Sequence, residues 1–108
     1  MTDYQTIKAL VPRGEILTQL AEECAQLGQA ALKLRRALSK DNPTPVSADD
    51  AEEHLWEEVA DVITCVNLLG EWPVFDVPCN SAIGDQMDKK EARWARRLRA
   101  VYGEEGKP

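Results

Sequence analysis

No run of apolar residues in this chain approaches the roughly 20 residues that a bilayer-spanning helix needs. The opening segment MTDYQTIKAL has no basic head followed by a greasy stretch, so no secretory leader is expected there. Histidine occurs once, at His54, which leaves no means of building a Ser-His-Asp or Cys-His nucleophilic set. Cys24, Cys65 and Cys79 are odd in number, widely spaced and form no CxxC pair. They read as reduced, mostly buried thiols of a cytoplasmic protein, not as zinc ligands or a disulfide framework. Bases are outnumbered by acids, 13 to 19, and the net charge of -6 argues against general nucleic-acid binding. No glycine-rich phosphate loop is present, and no alternating strand pattern competes anywhere.

What the chain does have is helical periodicity. Ile16, Leu20, Cys24, Leu27, Ala31, Leu34 and Leu38 recur in steps of four and three, predicting one long helix over residues 12–40. Asp41-Asn42-Pro43-Thr44-Pro45 breaks it, and Ser47 followed by Asp50 reads as the cap of a second helix over residues 47–70. The second seam is Leu55, Val59, Val62, Val66 and Leu69. Residues 71–81, with two prolines and three large apolar side chains, read as an ordered connection packed on the bundle. A last helix over residues 83–102 aligns Ile83, Met87, Trp94, Leu98 and Val101. The fold class is therefore all-α: one domain over residues 1–108, an antiparallel bundle of three main helices whose core is completed by oligomerisation.

Charge is unevenly distributed along this pattern. Residues 1–80 hold 14 acids and 6 bases, whereas residues 81–108 hold 5 acids and 7 bases. Solvated helix faces give such segregation, and so does an acidic metal site facing basic phosphate contacts.

One acidic phrase is written twice. LAEECAQL begins at Leu20 and LWEEVADV at Leu55. At about 100° per residue, Glu23 and Gln26 hold the same offsets from Leu20 that Glu58 and Asp61 hold from Leu55. Two such helices packed antiparallel bring four oxygen-bearing side chains to one edge of their interface. Asp61 is expected on a buried stripe with Cys65 and Leu68, where a carboxylate is costly unless paired or bound to a cation. Both an internal base such as Lys33 and a metal ion meet that need. Glu22 and Glu57, farther from their seams, suit solvated positions, and His54 suits the surface. Hard oxygen ligands without a His–Cys pattern favour Mg²⁺, with Mn²⁺ as the alternative.

LAEECAQLGQAALKLRRAL, a proline-rich break and EEVADVITCVNLL together resemble the MazG-like all-α nucleoside triphosphate pyrophosphohydrolases. The family signature is EExxE, a gap, then ExxD; here Glu22-Glu23-Cys24-Ala25-Gln26 and Glu58-Val59-Ala60-Asp61 stand in those places. The resemblance implies a homodimer or homotetramer and Mg²⁺ held by Glu23, Gln26, Glu58 and Asp61. It also implies hydrolysis of a nucleoside or deoxynucleoside triphosphate to the monophosphate and pyrophosphate. Glu22 or Glu23 would then orient or deprotonate the attacking water. Phosphates need cations: Lys33, two turns beyond Gln26, matches a lysine common in the family, and Lys90 and Arg93 lie near one edge of the last seam. Solvated surface bases are the plain alternative for these three. Gln26 departs from the signature, since an amide oxygen can ligate a metal but carries no charge and cannot act as a base. An alternative role follows from that departure: a catalytically silent MazG-like module that binds nucleotide or a protein partner.

Overall fold

Thr2 and Gln5 start the chain's first helix. The Gln5 amide donates to Thr2 Oγ1 at 3.1 Å, and the Thr2 amide donates to Gln5 Oε1 at 2.9 Å. This reciprocal box satisfies two otherwise orphaned donors and opens α1, Asp3–Leu10. Three-residue spacing of Thr and Gln signals such a box, but sequence reading assigned only the three longer helices. The extended residues Val11 and Pro12 then separate α1 from α2, Arg13–Leu38. Pro12 has no amide to continue the first ladder, and its φ of -60° suits the entry to the second.

Ser47 Oγ accepts from the Asp50 amide at 3.1 Å and opens α3, Ala48–Leu69. α4 runs over Ser81–Tyr102 and ends at Gly103, whose φ of 85° lets its amide reach the Arg99 carbonyl at 2.8 Å. The computed structural model describes residues 1–42, 44–70 and 81–103, and among these there is no strand. The expected packed connection falls almost wholly on residues 71–80, outside the described residues. Contacts divide the chain into two units, Met1–Pro73 and Val74–Pro108, so α1, α2 and α3 belong to the first and α4 to the second.

Within the first unit α2 and α3 pack antiparallel. The start of α2 meets the end of α3, where Arg13 Nη1 donates to the Leu69 carbonyl at 2.7 Å. Tyr4 Oη donates towards the Asn67 and Gly70 carbonyls at 3.2 and 3.1 Å, and Lys8 also donates to Gly70. Gly70, at φ -82°, is not in the left-handed region that closes many helices. Side chains from α1 and α2 serve the last carbonyls of α3 in its place.

The buried stripe differs from the expected seam. In α2 it consists of Ile16, Glu23 and Ala30, flanked by half-buried Leu20, Leu27 and Leu34, while Cys24, Ala31 and Leu38 are exposed. In α3 the buried residues are Ala51, Glu58 and Cys65, flanked by Leu55 and Val62. Seven residues are nearly two turns, so each trio lies almost along a line. The two trios correspond one to one, every pair being 35 positions apart. α2 and α3 therefore present the same face to each other, with a glutamate at the centre of each. Ala30 and Ala51, 2% and 1% exposed, let the backbones approach closely. No large side chain is fully buried among the described residues, so this unit buries little of its apolar surface by itself.

Candidate metal centre

A glutamate at the middle of a helix–helix interface loses most of its hydration, so its neighbours decide whether the fold tolerates it. Glu23 is 9% exposed and Glu58 is 8% exposed. Ligand oxygens of Glu23, Glu58 and Asp61 lie within 4.8 Å of one another, which makes these three the acidic group that converges among the described residues. The expected convergence is therefore present, but its depth is reversed. The two glutamates are interior and Asp61 is exposed at the rim, because Asp61 lies about 60° farther round α3 from the core line than Glu58.

Each buried glutamate has a partner one turn earlier on its own helix. Gln19 Nε2 donates to Glu23 Oε1 at 2.7 Å. His54 Nε2 stands 3.6 Å from Glu58 Oε1, and its Nδ1 stands 3.6 Å from Glu57 Oε2, forming ion pairs when the imidazole is protonated. Gln19 and His54 are themselves 35 positions apart, so they too occupy equivalent places on the two helices. His54 is exposed, as expected, yet still reaches Glu58, and Gln19 was not among the expected site residues. The i, i+4 spacing to the repeated glutamate was the available signal.

Gln26 joins the two helices. Surrounded by carboxylate oxygens, its amide is satisfied with the nitrogen turned inward, donating to Glu23 Oε2 and Glu58 Oε2 at 3.2 Å each. Metal ligation through the amide oxygen, the expected role, uses the opposite orientation of the same amide. One neutral group thus bridges two acids that would otherwise repel at close range.

Burial raises the pKa of Glu58, and the charge of Asp61 adds to it. His54 opposes the rise, whereas Glu23 adds to it through its charge and a hydrogen bond. Burial likewise pushes the Cys65 thiol up, with the charges of Glu23, Asp61 and Cys24 in support. These causes make Cys65 a poor nucleophile. Cys24, expected to be buried, is exposed because the stripe turned towards Glu23.

Beside the carboxylates is a largely apolar cleft of about 480 Å³. Ile7 and Val11 from the N-terminal segment line it together with Ile16 and Leu68, and Glu15, Gln19, Glu23 and Asp61 are among its polar residues. Glu22 is exposed and lies outside both the cleft lining and the converging group. Lys33 is exposed on α2, two turns beyond Gln26. Lys90 and Arg93 are exposed on α4, within the second unit.

The donor set suits a hard divalent cation. Mg²⁺ binds oxygens at about 2.1 Å, which places opposite ligands about 4.2 Å apart. Oxygens already within 4.8 Å of one another need only small side-chain rotations to reach that spacing. Three carboxylates also offset the charge of a dication while leaving coordination sites for water or phosphate. No family model, curated protein or solved structure matches the chain.

Proposed function

We propose that the chain is a Mg²⁺-dependent nucleoside triphosphate pyrophosphohydrolase, releasing a monophosphate and pyrophosphate. The observation that carries this reading is the convergence of Glu23, Glu58 and Asp61, two of which, Glu23 and Asp61, line a largely apolar cleft. Carboxylates there hold the cation, and the adjoining apolar wall receives the uncharged part of a nucleotide. The twice-written phrase and its resemblance to the MazG-like signature supply the reaction.

Glu23, Glu58 and Asp61 would hold Mg²⁺, or Mn²⁺ in its place. A bound ion of this kind neutralises phosphate charge and acidifies water. The protein's own contribution is positional. Gln19 fixes one oxygen of Glu23, leaving the carboxylate aimed at the cleft. Of the two candidates for orienting or deprotonating the attacking water, Glu23 lines the cleft, whereas Glu22 does not. Attack at a phosphorus atom breaks its bond to the bridging oxygen, and pyrophosphate leaves with that bonding pair. Lys33 on α2 is the base assigned to the phosphates within this unit under this reading.

A second copy would complete a helical bundle around α2 and α3, giving the homodimer or homotetramer that the resemblance implies. Leu17, Leu32 and Trp56 are available to it, being 48%, 55% and 61% exposed.

Gln26 supports a second reading, because it supplies an amide donor where the signature has an acid. In that reading the chain binds nucleotide without hydrolysing it. Pyrophosphate release from a panel of triphosphates with Mg²⁺, wild type against Asp61→Ala, separates the two. Turnover abolished by the substitution supports the enzyme; nucleotide binding without turnover supports the silent module. No response to metal or nucleotide removes both.

A further inference from the structure

The two helices carry equivalent trios around the interface: Gln19, Glu23 and Gln26 on α2, and His54, Glu58 and Asp61 on α3. The first members are a glutamine and a histidine, and the third members set an amide against a carboxylate. The Gln26 amide stands beside Glu23 Oε2 and Glu58 Oε2, and it is satisfied there when its nitrogen is the atom turned towards them, 3.2 Å from each. Asp61, in the matching place on α3, directs a carboxylate oxygen to the same two glutamates.

We infer that Gln26 takes the place of a second cation: its amide cross-links Glu23 and Glu58, so without nucleotide the centre accepts a single divalent ion, on the Asp61 side. This rests on the metal reading proposed above and specifies how many ions it involves. Charge supports the count. Glu23, Glu58 and Asp61 bring three negative charges, which one dication reduces to one. A second dication would leave an excess of positive charge beside an amide N–H, the wrong end of the dipole for a metal. Glu at position 26 would bring a fourth negative charge and remove the N–H. The same bridge has a structural role: it holds two buried acids together when no metal is bound, so the fold does not require the ion.

Titration with Mn²⁺ alone, following loss of the free-ion electron paramagnetic resonance signal, counts bound ions directly. The wild type should bind about one Mn²⁺ per chain and Gln26→Glu about two. Gln26→Leu, which removes the bridge without adding charge, should keep about one. In chelator, Tm should fall for Gln26→Leu and further for Gln26→Glu, and Mn²⁺ should restore more of it in Gln26→Glu. Recovery of helical circular dichroism on adding Mn²⁺ keeps the test usable should Gln26→Glu unfold in chelator. Two ions on the wild type, or one on Gln26→Glu with an unchanged Tm in chelator, overturns the inference and leaves the metal reading standing. No Mn²⁺ bound by the wild type removes the metal reading, and the ion count with it.

Discussion

Glu23 and Glu58 are the same residue of two equivalent helix faces, 35 positions apart, brought together in the interior and bridged by one amide. Two like charges in so little water form a tense arrangement, and most of the expected behaviour of the protein follows from how that tension is relieved.

Asp61→Ala removes the exposed ligand and leaves the buried pair bridged. It should lower pyrophosphate release by about 10²–10³-fold, the range seen when a group stabilising transition-state charge is deleted. Tm in chelator should stay the same or rise, since the charge that raises the pKa of Glu58 is gone. Activity assays paired with thermal melts test this; retained activity argues against Asp61 as a ligand.

Acidity should stabilise the metal-free protein. The pKa of Glu58 is raised by burial and by Asp61, so the folded state binds the proton more tightly than the unfolded chain. Between the ordinary glutamate value and the raised one, the unfolded state holds fewer protons, and stability falls as pH rises. The favourable contribution is complete below the unfolded pKa and lost above the folded one. Mg²⁺ competes with the same proton, so its affinity should increase with pH across that window. Glu58→Gln should flatten the decline of Tm with pH measured in chelator, and an unchanged slope would place the titration elsewhere.

Gln19→Ala should weaken Mg²⁺ or Mn²⁺ binding by about 10–100-fold, the usual effect of losing a partner that orients a metal-binding side chain. Its bond to Glu23 Oε1, at 2.7 Å, is the shorter of the two amide contacts to that carboxylate. Calorimetric affinities of the variant and the wild type give the comparison, and equal values would leave Gln19 a purely structural neighbour.

Tyr4→Phe should cost about 1 kcal/mol, the net worth of an ordinary hydrogen bond. Its hydroxyl serves the Asn67 and Gly70 carbonyls at the end of α3, which lacks a left-handed glycine cap. Urea denaturation measures the cost, and hydrogen exchange should show faster opening of α1 if this bond holds it down.

Self-association should be visible at micromolar concentration. Light scattering with size-exclusion chromatography should report a mass of at least two chains, and Trp56→Glu should shift it towards one. A monomer throughout that range would leave the exposed leucines and tryptophan without the expected cover.

The long helices were legible because Leu, Val and Ala keep their spacing over many turns and the breaks carry proline. The residues of the centre were legible because the acidic phrase occurs twice. Which side of the phrase faces inward was not. Cys24 and Ala31 count as apolar and Glu23 does not, so the expected seam ran one residue away from the observed stripe. Asp61 was placed inside for a similar reason, since the side chains around it in VADVITCVNLL are apolar whichever way the helix turns. α1 escaped notice because eight residues with no buried side chain carry little periodic signal. The inward turn of the Gln26 nitrogen depends on groups contributed by two helices, which no local pattern specifies.

The correspondence between α2 and α3 has a consequence for how this hairpin can be rearranged. Antiparallel helices offering matching faces are related by a rotation that exchanges them, and Gln26 and Asp61 trade places under it. Swapping those two side chains in a double variant would preserve total charge and interior volume while handing the acid to the opposite helix. The acid would then share its helix with Gln19 instead of His54 and change its side relative to α1, which tests what those neighbours contribute beyond the acids themselves.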